Sequence, residues 1–314
     1  MPILVDVALK KEKNKIMIKG SKHLAIVKPV IKHGVATAYA AYDVLFDWHP
    51  FQIPRGGCRI KSLHATIAGT NGDATSQENQ KDFSILLGKS IDGIAPPSIG
   101  QANVGVSGTT MNRSRPHIVG HKFLDVSVLD QGGANDAIFK SYRMIDINAQ
   151  DADYDEIAIF IDGEPSDYLD RTNMESATVW KDEKWQGLVP DPIAGYQTMW
   201  IAGVAVEAAA DFGTGMTLNM AAGAVLPATT ITATTPMHYP VSETTVTVTG
   251  TDVRAVLAVG DIVGTAESTA KVIGKVTEIV SSTQFKVDYV REQIAHNIEV
   301  VNLTPMTFNF GVEY

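Results

Sequence analysis

Residues 306–314 alternate strictly between apolar and polar side chains, and this pattern constrains the fold more than any other feature of the chain. Met306, Phe308, Phe310, Val312 and Tyr314 share one face if the segment is a strand, because successive side chains of a strand point to opposite sides. A strand with so many large apolar side chains on one face must bury that face against a second layer of structure. The sequence therefore predicts a β-sheet with a packed core.

Other strand-length segments rich in Val, Ile, Thr and aromatic residues support the same class. They cover residues 83–87, 124–129, 157–161, 199–206 and 244–249. Turn-forming sequences separate them, and the sequence contains no capped, periodic helix of about fifteen residues. This argues against folds that alternate strands with crossover helices. We predict a mostly β protein whose body is a β-sandwich or jelly roll.

Short strands punctuated by glycine between residues 258 and 290 predict a small β-barrel module near the C-terminal end of the sequence. Gly274 lies inside one of these strands, where a bulge or a barrel corner is expected. Because a full strand follows at residues 306–314, we place the barrel before the last strand of the body. The predicted organisation is a basic N-terminal arm (1–32), a body (33–220), a barrel module (221–303) and a closing strand (304–314).

Charge is distributed unevenly along the sequence. Residues 1–32 contain eight lysines against Asp6 and Glu12, residues 146–191 are strongly acidic, and the whole chain has a net charge of −9. Complementary charge steers association. We therefore expect the arm to bind an acidic neighbour, with a solvated arm as the alternative. The predicted partner-binding residues are Lys10, Lys11, Lys13, Lys15, Lys19, Lys22, Ile16 and Ile18, and Leu24, Ile26 and Val27 are expected to add apolar contact area.

The cysteine content and the apolar segments limit the cellular context. Cys58 is the one cysteine in 314 residues, so the chain forms no internal disulfide and no cysteine-based zinc site. Residues 1–9 are a short apolar run followed by lysines, the reverse order of a secretory signal. The longest apolar stretch, residues 199–206, is far shorter than the roughly 20 residues of a membrane helix. We expect synthesis in the cytoplasm, no membrane span, and stability gained from assembly.

Metal-binding patterns in the sequence are incomplete. Asp151, Asp153, Asp155 and Asp162 resemble part of a calcium loop, but Glu156 stands where that loop needs glycine, so we interpret the segment as a solvated acidic turn. His117 and His121 are four residues apart in a segment that favours strand or loop, where this spacing does not bring two ligands together. His49 is interpreted as a packed turn residue. We predict no metal and no cofactor.

Catalytic patterns are equally weak. Ser107 lies in a sequence that lacks the second glycine of a nucleophile elbow, and we interpret it as a loop serine. Asp211-Phe212-Gly213 matches a kinase tripeptide, but the other kinase motifs do not accompany it. The basic arm from Lys10 to Lys32 has no aromatic side chain and the body is acidic, which argues against nucleic-acid binding. We predict a protein that is not an enzyme.

Two groups of motifs resemble a known class of proteins. The first comprises Phe46-Asp47-Trp48-His49-Pro50-Phe51-Gln52-Ile53-Pro54, Gly69-Thr70-Asn71-Gly72, Lys81-Asp82-Phe83 and Pro96-Pro97-Ser98-Ile99-Gly100. The second comprises Val259-Gly260-Asp261, Ile273-Gly274-Lys275-Val276 and Asn302-Leu303-Thr304-Pro305-Met306. Together they cover about a third of the chain and resemble accessory virion proteins of tailed phages, particularly marine ones. The resemblance implies a trimeric decoration or cement protein with a β-sandwich or jelly-roll body, and it implies no catalytic residue.

The leading hypothesis is therefore a decoration or cement protein on the capsid surface, made in the host cytoplasm and bound to the major capsid protein. One alternative is a tail, fibre or baseplate component that binds host glycans through exposed tryptophans. Trp48, Trp180, Trp185 and Trp200 are the candidates, and Trp180 and Trp185 are the better pair. A second alternative is a major capsid protein with a non-standard fold. A cell-surface hydrolase has only scattered carboxylates in its favour.

Overall fold

A computed structural model of the chain confirms the mostly β class. It describes residues 22–31, 38–68, 81–91, 94–124, 130–131, 138–143, 157–161, 196–210, 212–213, 215–229, 243–267 and 270–314. In chain order the strands are β1 (Lys22–Val27), β2 (Val44–Pro54), β3 (Gly56–Ile67), β4 (Phe83–Lys89), β5 (Ile118–Leu124), β6 (Asp130–Gln131), β7 (Ile138–Arg143), β8 (Ile157–Ile161), β9 (Tyr196–Ala205), β10 (Met216–Leu218), β11 (Val225–Leu226), β12 (Thr244–Gly250), β13 (Ile262–Thr265), β14 (Val272–Ile279), β15 (Gln284–Val287), β16 (Ile294–Ala295), β17 (Glu299–Asn302) and β18 (Met306–Glu313). Two short helices, α1 (Gly108–Ser114) and α2 (Val253–Val256), and a 3-10 turn at Arg115–His117 accompany them.

The body contains two antiparallel sheets. The first has the order β1-β18-β3-β7-β6, and β8 also pairs with β3. The second has the order β2-β9-β4-β5. In the first sheet β18 lies between β1 and β3, so residues near the two ends of the sequence pair with each other. The predicted strand at 306–314 is thus a strand of the body.

The two sheets face each other across one apolar core. Phe310 of β18 stacks on Phe51 of β2 with ring centroids 5.2 Å apart, and Phe308 meets Phe46 at 6.1 Å. The inward-facing side chains of β18 are almost fully buried, as the alternating pattern predicted. Tyr314 is an exception, because it lies beyond the end of β18 and is 46% exposed. The expectation that Tyr314 shares the buried face is wrong, and a jelly-roll connectivity stays a prediction.

The second sheet is covered on its other face as well. There Trp48 and Trp200 pack with Ile99 and with apolar residues of the barrel, including Ile262 and Leu303. A sheet covered on both faces has little freedom to shift, because side chains on either side fix its position. The four-stranded sheet therefore forms the middle layer between the first sheet and the barrel.

A closed barrel follows the body strands, with the strand order β10-β12-β15-β14-β13-β17. Its interior is filled by apolar side chains such as Val248, Phe285 and Val300. Gly274 pairs with Val263 directly beside a register shift, and a Cβ at Gly274 would lie 2.6 Å from the carbonyl oxygen of Tyr289. The barrel predicted from glycine-punctuated strands is present, and its first strand, β10, precedes the predicted start at residue 221. The predicted domain boundaries otherwise stay predictions.

Candidate interaction surface

Of the eight predicted partner-binding residues, one lies in the described part of the chain. Lys10, Lys11, Lys13, Lys15, Ile16, Ile18 and Lys19 lie outside the described residues. Lys22 is described, and it is the exposed first residue of β1. Residues 22–27 are a strand of the first sheet, paired with β18 along its whole length, and so the assignment of these six residues to a free arm is wrong. Lysines at both ends of the segment concealed its strand pattern.

Strand β1 has one buried face and one exposed face. Ala25 and Val27 point into the core and are 5% and 2% exposed. Leu24 and Ile26 point outward and are 58% and 62% exposed. The expectation that Val27 contacts a partner is therefore wrong, because its side chain is already buried within the chain. Leu24 and Ile26 keep their predicted availability.

In the part of the chain that the structure describes, β1 is the edge strand of the first sheet. Among the described residues, β1 pairs with β18 alone. The edge strand of the second sheet, β2, is different, because it carries Pro50 and Pro54 and two register shifts. Proline lacks the N–H that an added strand needs, and irregular register prevents extended pairing. The β2 edge is therefore blocked, whereas no described residue pairs with the outer edge of β1.

The positions of β18 beside Leu24 and Ile26 carry small or polar residues. Gly311 of β18 lies opposite Leu24, and a Cβ at this glycine would collide with the hydroxyl of Ser62 on β3. Asn309 lies opposite Ile26. Two large aliphatic side chains thus rise at the edge of a sheet face whose neighbouring positions are small or polar. We define Lys22, Leu24 and Ile26, together with the free backbone edge of β1, as the edge surface.

Two of the motifs that carry the phage resemblance contact each other in the layer between the second sheet and the barrel. The indole Nε1 of Trp48 donates to the carbonyl oxygen of Pro97 at 2.9 Å, and the backbone N–H of Ile99 donates to Asp47 Oδ1 at 3.0 Å. Ser114, at the end of α1, donates to the same Pro97 carbonyl at 2.8 Å. The polar groups of these motifs therefore hold a packed loop against the sheet.

The tryptophans with described positions are not available to a glycan. Trp48 is 2% exposed and packs over Gly88, where a Cβ would lie 2.9 Å from the ring. Trp200 is fully buried, and its Nε1 donates to Ser90 Oγ at 3.0 Å. A carbohydrate platform needs an exposed ring face, so Trp48 and Trp200 are wrong as glycan-binding candidates. Trp180 and Trp185 lie outside the described residues, as does most of the acidic stretch 146–191.

The histidines have separate environments. His117 ends the 3-10 turn, and its Nδ1 lies 2.9 Å from the carbonyl oxygen of Lys89, whereas His121 is exposed on β5. His49 is a buried strand residue, not the turn residue that was expected, and burial lowers its pKa from 6.5 to about 3. Within the described residues no group of three or more His, Cys, Asp or Glu is placed to hold a metal ion. The aspartates of the predicted acidic turn, Asp151, Asp153, Asp155 and Asp162, lie outside them, and the residues between, Ile157–Ile161, form β8.

The candidate nucleophiles have structural contacts. Ser107 is the N-cap of α1 rather than a plain loop serine, because its hydroxyl accepts from the N–H of Thr110 at 3.1 Å. Cys58 is buried, Gln197 Nε2 lies 3.8 Å from its sulfur, and burial raises the pKa of the thiol to about 11. A thiol with so high a pKa is a poor nucleophile at neutral pH. Asp211 lies outside the described residues, and Phe212 belongs to the core.

A buried polar network, which the sequence alone did not predict, joins the barrel to the residues that follow β1. Asp261 Oδ1 accepts from Lys28 Nζ at 2.7 Å, and its Oδ2 accepts from Asn302 Nδ2 at 3.0 Å. Asn302 Oδ1 accepts from the N–H of Thr304 at 2.8 Å. Asp261 and Asn302 belong to motifs quoted for the resemblance, but Lys28 is 233 positions from Asp261, so no local pattern reveals the contact.

Comparisons with known proteins identify no family for this chain. No family model matches the chain, and no curated protein matches it. In the described part of the chain, no helix has the length and apolar character needed to cross a membrane.

Proposed function

We propose that this chain is a non-enzymatic virion protein that decorates or cements the head of a tailed phage. The observation that carries the proposal is the use of its distinctive motifs in packing. Trp48 donates to the carbonyl oxygen of Pro97, and the N–H of Ile99 donates to Asp47. Asp261, which accepts from Asn302, joins the barrel to the body by accepting from Lys28. A protein of this kind contributes stiffness and surface rather than chemistry, because its polar groups fix the relative position of its layers.

The lysine-rich residues before β1 supply the proposed attachment to the shell. Residues 1–21 contain Lys10, Lys11, Lys13, Lys15 and Lys19, and they lead into the edge surface. Charge of one sign steers a protein toward an oppositely charged lattice, and the contribution of exposed charges weakens as salt increases. The major capsid protein is the proposed partner, and the capsid surface is the proposed location.

Copy number in purified particles tests the assignment. Quantitative mass spectrometry of purified virions of a phage whose genome encodes this chain should give a copy number comparable with that of the major capsid protein, because a cement protein repeats with the lattice. A copy number of a vertex or tail component would contradict the capsid assignment. Absence from purified particles would contradict a virion role.

Truncation tests the attachment. A chain that lacks residues 1–21 keeps β1 intact, so it should fold as the full chain does and bind particles more weakly, with reduced dependence on salt. A matched variant changes Lys10, Lys11, Lys13, Lys15 and Lys19 to glutamine and preserves the length of the segment. If both variants bind particles as tightly as the full chain at low and at high salt, the lysines do not mediate attachment.

A further inference from the structure

The edge surface combines two properties that are rarely found together on the surface of a monomer. Leu24 and Ile26 are large, aliphatic and more than half exposed, and the backbone edge beside them is open in the described part of the chain. Exposed strand edges are templates for pairing with another chain, and natural proteins usually block them with proline, charge or a bulge. The body blocks β2 in this way and leaves β1 open. An edge of this kind is suited to receive a strand.

We infer that two copies of this chain pair through β1, in antiparallel orientation about a two-fold axis, so that their first sheets form one continuous sheet. A two-fold interface uses the same surface on both partners, so the strand must be complementary to itself. The β1 sequence Lys-His-Leu-Ala-Ile-Val meets this condition in one register. If Ala25 lies opposite Ala25 of the second copy, Leu24 faces Ile26 of that copy, and Ile26 faces Leu24.

The alternating faces of the strand exclude the other registers. Directly opposite residues of an antiparallel pair lie on the same face, so a shift of one residue would bring an exposed side chain opposite a buried one. The neighbouring registers that keep the faces matched place Lys22 opposite Ile26, or Lys28 opposite Leu24. Both oppose a charge to an aliphatic side chain. Only the register centred on Ala25 places each Leu24 and each Ile26 of the two copies directly opposite another aliphatic side chain.

This register places Lys22 directly opposite Lys28 of the second copy, an unfavourable like-charge pair. The repulsion is reduced because each of these lysines has an acidic neighbour in its own chain. Lys22 is the register partner of Glu313, and Lys28 forms an ion pair with Asp261 at 2.7 Å. The second sheet is not extended, because its edge strand β2 carries Pro50 and Pro54. The pairing therefore closes as a dimer, whereas the phage resemblance implied a trimer.

Register-specific cross-linking tests the geometry. Directly opposite Cα atoms of an antiparallel pair are about 4.5–5.5 Å apart, within the range of a disulfide, whereas diagonal neighbours are about 7–8 Å apart. Leu24→Cys mixed with Ile26→Cys should therefore yield a disulfide-linked dimer under mild oxidation. Each variant oxidised alone should yield far less. Cys58 is buried and should not contribute, which the unmodified chain controls.

Oligomeric state tests the interface itself. Light scattering at about 100 μM, above the micromolar dissociation constants of weak interfaces, should give twice the mass of one chain. Leu24→Lys combined with Ile26→Lys should halve that mass and leave the circular dichroism spectrum unchanged. Val259→Lys is the matched control, because Val259 is 61% exposed on the barrel and lies outside the proposed interface.

Three results would overturn the inference. They are a monomeric or trimeric unmodified chain, equal cross-linking of Leu24→Cys alone and in the mixture, and a dimer that survives the double lysine variant. A monomer that dimerises after removal of residues 1–21 would show that the chain covers its own edge. The inference concerns the chain alone, so it stands or falls separately from binding to a phage head.

Discussion

Asp261→Asn should weaken the junction between the barrel and the body. The Asp261 carboxylate accepts from Lys28 Nζ at 2.7 Å, from the N–H of Ala258 at 2.8 Å and from Asn302 Nδ2 at 3.0 Å. Its side chain is 6% exposed. Asparagine has the same shape but offers one oxygen and one NH2 group. Whichever way the amide is oriented, its NH2 group faces another donor, and the charged hydrogen bond from Lys28 is lost.

The expected loss follows from these contacts. A hydrogen bond to a charged group contributes about 1.5–3 kcal/mol, and the cost rises when a buried donor loses its acceptor. Lys28 is 28% exposed and can turn its ammonium group toward water, so we expect the free energy of unfolding to fall by about 2 kcal/mol. Lys28→Met should cost about as much, because it leaves the Asp261 carboxylate buried without its cation. The double variant should cost less than the sum of the two by about 1 kcal/mol.

Urea unfolding followed by circular dichroism measures these differences for the four chains. Lys271→Met is the control, because Lys271 lies 3.9 Å from Glu267 with both side chains well exposed, and surface pairs contribute at most about 1 kcal/mol. If Asp261→Asn unfolds at the same urea concentration as the unmodified chain, the network does not hold the barrel. Strict additivity of Lys28→Met and Asp261→Asn would show that the two side chains are not coupled.

Further predictions concern the core and its titratable groups. Phe310→Ala should lower the free energy of unfolding by about 3–5 kcal/mol, measured in urea, because the ring stacks on Phe51 in the core; a loss below about 1 kcal/mol would contradict this packing. Cys58, with a pKa of about 11, should not react with a thiol reagent at pH 8 until the chain is unfolded, and rapid reaction of the folded chain would contradict its burial. His49 has a folded pKa of about 3 against 6.5 when unfolded, so the unfolded chain binds more protons between these values. Stability should therefore fall as pH decreases below 6.5, by up to about 1.4 kcal/mol per pH unit relative to His49→Gln, and parallel pH profiles of the two chains would contradict it.

Local pattern predicted those parts of the fold in which one strand face is buried and the other is not. The alternation of Met306 to Val312 identified β18, and glycine-punctuated strands identified the barrel. The same reasoning failed at β1, because the lysines around this six-residue segment led to the prediction of a basic arm instead of a strand. It also failed at β2, whose two faces both pack against other layers, so that Trp48 and His49 show no alternation. Burial on both faces removes the period-two signal on which strand prediction depends.

The candidate surface was predicted in part. Lys22, Leu24 and Ile26 were predicted from the sequence as residues that contact a partner. Their position beside an unpaired backbone edge could not be predicted, because it depends on which strand lies at the edge of the sheet. That order is set by pairing between residues far apart in the chain, such as Lys22 with Glu313. The Lys28–Asp261 contact was missed for the same reason. One sequence reveals which side chains are suited to contact, but it does not reveal which distant segments meet.

The position of β18 between β1 and β3 also sets the order in which the molecule is completed during translation. The barrel strands lie within residues 216–302, so the ribosome delivers all of them before residues 306–313. Until β18 arrives, β1 and β3 have no shared neighbour, and the aromatic side chains of β2 lack Phe308 and Phe310 as packing partners. Closure across so long a stretch of chain is slow compared with local hairpin formation. A ribosome that stalls before residue 306 therefore leaves a nascent chain that lacks β18 and has an open core, a form that chaperones and proteases recognise.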